Sequence, residues 1–289
     1  MNGLTENIDR VFQPDEVKNG LEKIRAIAAG TLSKEGLKLA FSCIDLTTLG
    51  SDDTQEKGRS LAEKVSLFPR HFAELPNVAA ICVYPTLVRK VRTNLKDSKV
   101  KLAAVAAGFP SSMTFLGVKE METALTVAEG ADEIDIVISI GTFLEGNFIE
   151  VAKEISNIKK FCGNAHLKVI LETGALKTPE NIWKASMLSM QAGADFIKTS
   201  TGKIDPAATP EAAWVMCSAI REFHARTGKK VGFKAAGGIV ESVDALFYIA
   251  IVREILGEEW LSPALFRIGA SRLANNLLTS ITEEKISYF

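Results

Sequence analysis

The chain has 289 residues, 47% hydrophobic and 24% charged, with 34 Lys+Arg against 35 Asp+Glu for a formal charge of −1. That is enough apolar chain to bury a substantial core, which excludes a disordered protein. The balanced charge also excludes a nucleic-acid binder that works by counterion release. No run of about 18 apolar residues is present to span a membrane, and the start MNGLTENIDR lacks a secretory pattern, so the expected setting is the cytoplasm. Cys43, Cys82, Cys162 and Cys217 stand far apart with no CxxC pair, which argues against a zinc site or a disulfide framework.

In chain order, Leu21, Ile24 and Ile27 share helical spacing, so residues 1–35 are expected to form a helical extension that plugs the lower face of the domain at 36–289. Eight short apolar runs then recur: LKLAFSCI ending at Ile44, NVAAICVYP from Asn77, KLAAVAAGF from Lys101, DEIDIVISI from Asp132, LKVILETG from Leu167, ADFIKTSTG from Ala194, KVGFKAAGG from Lys230 and FRIGAS from Phe266. Near-continuous apolar runs read as parallel strands covered on both faces. Helices are predicted between them, over Thr54–Leu67, Thr114–Glu129, Phe148–Phe161, Pro179–Gln191, Pro210–Arg226 and Ser242–Leu256. Thr178 and Thr209 each precede a proline as N-caps. Gly130, Gly163, Gly193, Gly228 and Gly257 fall at C-cap positions. Asp52 and Asp53 read as the cap of the helix near Thr54. Eight strands alternating with helices over about 250 residues predict a single (β/α)8 TIM barrel with an N-terminal helical extension. A doubly wound dinucleotide fold lacks its GxGxxG after the first strand.

Strand parity supplies the chemistry. If Ile134, Ile136 and Ile138 face the helices, Asp135 points into the barrel with Glu133. The same alternation turns Lys168 and Glu172, then Lys198, then Lys234 inward. A barrel interior is normally filled by branched aliphatic side chains, and each uncompensated buried charge costs several kcal/mol. Two lysines on neighbouring strands can depress one another: a second ammonium about 4 Å away contributes about 4 kcal/mol at an effective dielectric near 20, roughly 3 pKa units. The pattern therefore predicts a lysine held neutral for Schiff-base chemistry, with Asp135 available to move protons and no metal or cofactor required. The loops STGK (Ser200–Lys203), AAGG (Ala235–Gly238) and GAS (Gly269–Ser271) place glycines where barrels bind phosphate, and Lys203 adds a cation. The three histidines share no spacing, and Trp183, Trp214 and Trp260 fall in or near the outer helices as packing anchors.

The segments IDLTTL, AAICVYP, ADEIDIV, LKVILETG, DFIKTSTGK and VGFKAAGG, in this order across about Phe41 to Leu278, resemble the deoxyribose-phosphate aldolase family of the DeoC kind. The resemblance implies a class I aldolase, a lyase that reversibly cleaves 2-deoxy-D-ribose 5-phosphate to D-glyceraldehyde 3-phosphate and acetaldehyde in deoxyribonucleotide catabolism. It implies Lys198 as the Schiff-base lysine, Lys234 as the lysine that lowers its pKa, Asp135 as the proton relay through water, and Lys168 as the partner of that aspartate. Asp45 and Cys82 match residues lining the pocket, and Gly202, Lys203, Gly237, Gly238, Gly269 and Ser271 match the phosphate-binding segments. Three positions depart from or vary within the family pattern. Arg272 follows Ser271 where a second serine is common, Val240 follows Ile239 where an arginine is common, and Tyr288 is the candidate for the C-terminal tyrosine that some members use in proton transfer. The implied partners are small phosphosugars and aldehydes, with no nucleic acid or membrane, and a homodimer is left open. A class I barrel aldolase for another phosphosugar and a catalytically silent phosphosugar-binding barrel are the rival readings.

Overall fold

A computed structural model describes residues 5–28 and 33–289. Its centre is a closed barrel of eight parallel strands in sequential order. They are β1 Ile44–Thr47, β2 Ala80–Val83, β3 Lys101–Val105, β4 Glu133–Val137, β5 His166–Ile170, β6 Phe196–Lys198, β7 Gly232–Ala236 and β8 Phe266–Ala270, with β8 closing onto β1. The helices around it are α1 Glu16–Ala28, α2 Lys34–Ser42, α3 Gln55–His71, α4 Val88–Asn94, α5 Leu116–Ala128, α6 Ile140–Leu144, α7 Phe148–Phe161, α8 Thr173–Leu176, α9 Pro179–Gln191, α10 Pro210–Thr227, α11 Ser242–Leu256 and α12 Leu273–Thr282. None of the described helices is long and apolar enough to cross a membrane.

The local signals act as their chemistry requires. Thr54, Thr178 and Thr209 each accept a hydrogen bond from the backbone N–H three residues on, at 3.1–3.2 Å, which starts α3, α9 and α10. The five expected C-cap glycines all have positive φ, from 54° to 109°. Asp53 is not the cap of α3; its carboxylate instead accepts from Thr48 Oγ1, Gly50 N and Lys57 Nζ and ties the β1–α3 loop to the helix it precedes.

Two expectations at the N-terminal end need correction. The run LKLAFSCI is not a strand: residues 34–42 are α2, and only Ile44 belongs to β1. Leu37, Ala40 and Phe41 recur at three- and four-residue spacing and are all buried, while Ser33 accepts from Gly36 N as a cap. That period wins over the run's apolar continuity. The proposed boundary between 35 and 36 therefore falls inside α2. Nor does the extension plug the barrel: α1 lies outside it against α10 and α11, with Leu21 and Ile24 buried there. The Ile27 side chain lies outside the described residues.

The outward strand residues Ile134, Ile136, Val169, Ile197 and Phe233 join the helices in one continuous core. Ala80, Cys82, Ala103 and Val105 form a separate apolar wall inside the barrel on β2 and β3. Val137, Ile170 and Phe196 also face inward, and charged side chains take much of the rest of the interior.

Candidate active site

Inward positions of β1, β4, β5, β6, β7 and β8 bring seven ionisable groups together, each at most 4% exposed. Their contacts close into a ring of alternating sign. Lys234 Nζ lies 2.8 Å from Asp135 Oδ2 and 2.5 Å from Asp45 Oδ2. Arg267 bridges Asp45 Oδ1 at 2.6 Å and Glu133 Oε1 at 2.7 Å, and Lys168 returns from Glu133 at 2.5 Å to Asp135 Oδ1 at 3.1 Å. Three carboxylates and three cations balance. Lys198 stands outside the count: its Nζ donates to Asp135 Oδ2 at 2.8 Å, the oxygen that Lys234 already uses.

The electrostatics follow from that topology. Burial favours the neutral forms of Asp45, Asp135, Lys168, Lys234 and Arg267, but their ring partners overcome it. Lys168, Lys198 and Lys234 hold the Asp135 carboxyl well below the usual carboxylate range, and Lys234 and Arg267 do the same for Asp45. The Asp135 and Asp45 charges in turn push Lys234 up, and Asp135 and Glu133 push Lys168 up. Lys198 alone among the lysines moves down. Burial is the largest cause; Asp135 opposes it, and the Lys234 ammonium adds to the lowering. The neighbouring ammonium, the cause expected from strand parity, is the smaller contributor to this depression. Desolvation comes first, because Lys198 has one carboxylate partner and shares it.

The register explains why these residues meet. Lys198 and Lys234 are directly paired across β6 and β7, and Asp135 and Lys168 across β4 and β5. Gly269 on β8 makes room beside them: a Cβ there would lie 3.1 Å from Lys234 Cε and 2.9 Å from Ala236 Cβ. Arg267 was missed from the sequence, although the same alternation would have found it. With Phe266, Ile268 and Ala270 facing the helices, Arg267 and Gly269 must point inward.

Above Lys198, at the C-terminal ends of the strands, a cavity of about 260 Å³ is lined by all six residues expected at a phosphate, namely Gly202, Lys203, Gly237, Gly238, Gly269 and Ser271, together with Lys198 itself. Thr47, Leu49, Val240 and Arg272 complete its lips. Gly237 has φ +88°, and a Cβ on it would lie 2.7 Å from Ala207 Cβ and 3.0 Å from Gly202 Cα, so the two loops can close only around glycine. Glu172 does not continue the β5 alternation. It sits at φ +55°, fully buried, and accepts from Thr201 Oγ1 at 2.5 Å, which fastens the start of the STGK loop. Burial raises its pKa against those hydrogen bonds.

Three expected residues lie elsewhere. Asp45 is a ring member beneath the cavity and does not line it, since it occupies the second residue of β1 and points at Arg267 and Lys234. Cys82 belongs to the apolar wall, its thiol pushed up chiefly by burial. Tyr288 is not brought to the site. Its hydroxyl donates to the Lys64 carbonyl at 2.8 Å, its ring meets Phe68 and Phe72 edge-on, and Asn275 Oδ1 accepts from the Tyr288 and Phe289 N–H groups. His224 and Trp260 pack together, Trp260 Nε1 donates to Val231 O, and Trp183 is buried in α9.

A ring that leaves one buried lysine in surplus, beneath a glycine-lined anion cavity, suits imine formation with a phosphorylated carbonyl compound. Comparison with known proteins agrees in class. The chain matches the family model for DeoC/LacD family aldolase over residues 39–253. It is 46% identical over 248 residues to the human deoxyribose-phosphate aldolase, covering 82% of this chain and 78% of the relative, and 45% identical to a Caenorhabditis elegans relative over 95% of this chain and 91% of that one. The tetrameric deoxyribose phosphate aldolase of Aeropyrum pernix superposes with a TM-score of 0.70 at 26% identity, covering 89% of this chain and 97% of that structure. The chain belongs to the DeoC/LacD family of aldolases.

Proposed function

We propose that this chain is a deoxyribose-phosphate aldolase that cleaves 2-deoxy-D-ribose 5-phosphate reversibly to D-glyceraldehyde 3-phosphate and acetaldehyde through an imine on Lys198, a step of deoxyribonucleotide catabolism. The observation that carries it is the surplus position of Lys198 at the top of a charge-balanced ring, with its amine facing the anion cavity. The uncharged Nζ attacks the aldehyde carbon of the open-chain sugar, and the carbinolamine loses water to give the iminium. The C2–C3 bond then breaks with its electrons drawn to the iminium nitrogen, while the C3 hydroxyl gives up its proton. Glyceraldehyde 3-phosphate leaves, the remaining enamine takes a proton at carbon, and hydrolysis frees acetaldehyde and the lysine. Asp135 handles protons through water in both the hydration and the cleavage steps. Lys234 keeps Asp135 from neutralising itself against Lys198, and Lys168 holds the far oxygen of that carboxylate. Gly202, Gly237, Gly238, Gly269 and Ser271 cradle the phosphate, with Lys203 at the mouth of the cavity.

Borohydride reduction in the presence of acetaldehyde tests the reading. The intact mass should rise by one ethyl group, and the adduct should map to the peptide holding Lys198. No adduct, or one on another lysine, overturns it. Faster cleavage of a ketose phosphate than of deoxyribose 5-phosphate would keep the chemistry and change the substrate.

A homodimer through α5 belongs to the same proposal. Val118, Met121 and Leu125, at three- and four-residue spacing, are 52–60% exposed and line a groove of about 1020 Å³ beside Arg89 and Glu129, with Phe115 and Met113 exposed at its end. An apolar face of that extent is a common mark of self-association. A cytoplasmic setting is consistent with four cysteines that all stay free and buried.

A further inference from the structure

The three basic side chains that line the anion cavity are not equivalent. Lys198 Nζ is held by Asp135 at the floor. Lys203 reaches across the mouth and donates to the Leu49 carbonyl at 2.6 Å. Arg272, exposed on the rim, has no hydrogen bond or ion pair through its side chain among the described residues. No carboxylate lines the cavity to occupy it. The fork of donors on a guanidinium matches a phosphate better than a single ammonium does.

The lips fix where Arg272 stands. It immediately precedes α12, a ten-residue helix whose first N–H groups are free of intrahelical partners, and Ser271 lies just before it on the same rim. The opposite rim ends at Val240, which brings no charge. The two rims are fastened together, because Asn276 Nδ2, one turn along α12 from Arg272, donates to the Val240 carbonyl at 2.9 Å. A ligand phosphate resting on Gly237 and Gly238 is therefore flanked by apolar Val240 on one side and by the free guanidinium on the other.

We infer that Arg272 is the residue that sets this enzyme's preference for a phosphorylated substrate, binding the dianion directly while Lys203 braces the loop. The inference rests on the proposed aldolase reading for the identity of the sugar, but not for the binding of the anion. Two measurements separate them. In calorimetry with inorganic phosphate, Arg272→Ser should weaken binding about 10- to 100-fold, the range for a hydrogen bond to a charged group, and Arg272→Lys should recover only part of it. In turnover, the ratio of kcat/KM for 2-deoxyribose 5-phosphate to that for 2-deoxyribose should fall by at least about tenfold, mostly through KM. Arg272→Ser combined with Val240→Arg should regain part of both by restoring a cation from the facing lip. Equal phosphate affinity in wild type and Arg272→Ser, or an equal loss for both sugars, overturns the inference. A wild type that cleaves neither sugar yet loses phosphate with Arg272→Ser overturns the substrate assignment and upholds the site.

Discussion

Two chemically identical substitutions, Lys198→Met and Lys234→Met, are expected to have opposite consequences. Both lysines are buried and both donate to Asp135 Oδ2 at 2.8 Å. Lys234 is a ring cation shared by Asp45 and Asp135, whereas Lys198 is the surplus base. Removing Lys234 leaves two buried carboxylates short of one charge. Rupture of a buried pair costs about 3–5 kcal/mol, here near 3 because Lys198 takes up a proton and refills part of the ring. At about 2 °C per kcal/mol for a chain of this length, the melting midpoint drops by roughly 6 °C. Removing Lys198 costs one hydrogen bond, about 1 kcal/mol, offset by the loss of a buried amine that the unfolded chain would protonate. Its midpoint stays within about 2 °C of wild type. Linkage adds a sign. The folded-state pKa of Lys198 lies below the ordinary lysine value near 10.5, so between the two the unfolded chain binds more protons and wild-type stability rises with pH. Any advantage of Lys198→Met at neutral pH must shrink as pH climbs toward 10.5. Urea titrations at pH 7 and pH 9.5, with turnover measured alongside, decide the matter. Lys198→Met should be folded and inactive. Lys234→Met should be destabilised and active only at higher pH, since losing a charge about 5 Å away at an effective dielectric near 20 moves the Lys198 pKa up by about 2 units. If Lys198→Met loses as much stability as Lys234→Met, Lys198 is a structural ammonium and the ring count is wrong.

Acid should spare the site longer than an ordinary carboxylate cluster. Asp135 and Asp45 have folded pKa values pushed below the usual 3.8, so their contribution is complete above that value and is lost only as pH falls through the lower ones, which calorimetric scans from pH 5 to pH 2.5 on wild type and Asp45→Asn can follow. Glu172→Gln keeps the shape of the Thr201 contact and changes its charge; KM for the phosphorylated sugar should rise several-fold with kcat less affected, while Glu172→Ala should lose both as the STGK loop comes free. Met121→Glu with Leu125→Glu should convert the dimer expected by light scattering to a monomer without loss of secondary structure; an unchanged mass would remove α5 as the interface.

The barrel and its inward charges were legible because strand alternation holds wherever the chain is extended. It correctly turned Asp135, Lys168, Lys198 and Lys234 to one interior, and the glycine loops to one rim. It failed where the chain stops being extended. Glu172 lies two residues past β5 in a left-handed turn, so its inward placement comes from the turn and not from the alternation. The run before β1 is a helix because Leu37, Ala40 and Phe41 bury one face, a period hidden by apolar neighbours on every side. Tyr288 illustrates a different limit. A penultimate residue has no element to fix it, and only Asn275, Phe68, Phe72 and the Lys64 carbonyl decide where it docks.

The omission of Arg267 has the largest consequence for mechanism. Without it, three lysines face three carboxylates, Asp45, Glu133 and Asp135. Every amine would then have a negative partner, and nothing would favour a neutral one. With Arg267 bound to both Asp45 and Glu133, the ring is already neutral when Lys198 is added. A fourth buried cation is the one least compensated, so its ammonium form bears the desolvation cost. Arg267 touches no part of the cavity, yet it determines which lysine is free to act. Guanidinium cannot yield its proton at any accessible pH, unlike a lysine in the same place, so the surplus cannot migrate to β8. Arg267→Lys should therefore keep the formal charge count and still slow imine formation at neutral pH. Borohydride trapping rates with acetaldehyde, compared between pH 7 and pH 9, should show the deficit narrowing as pH rises. A deficit that is the same at both pH values would mean that Arg267 only braces the barrel.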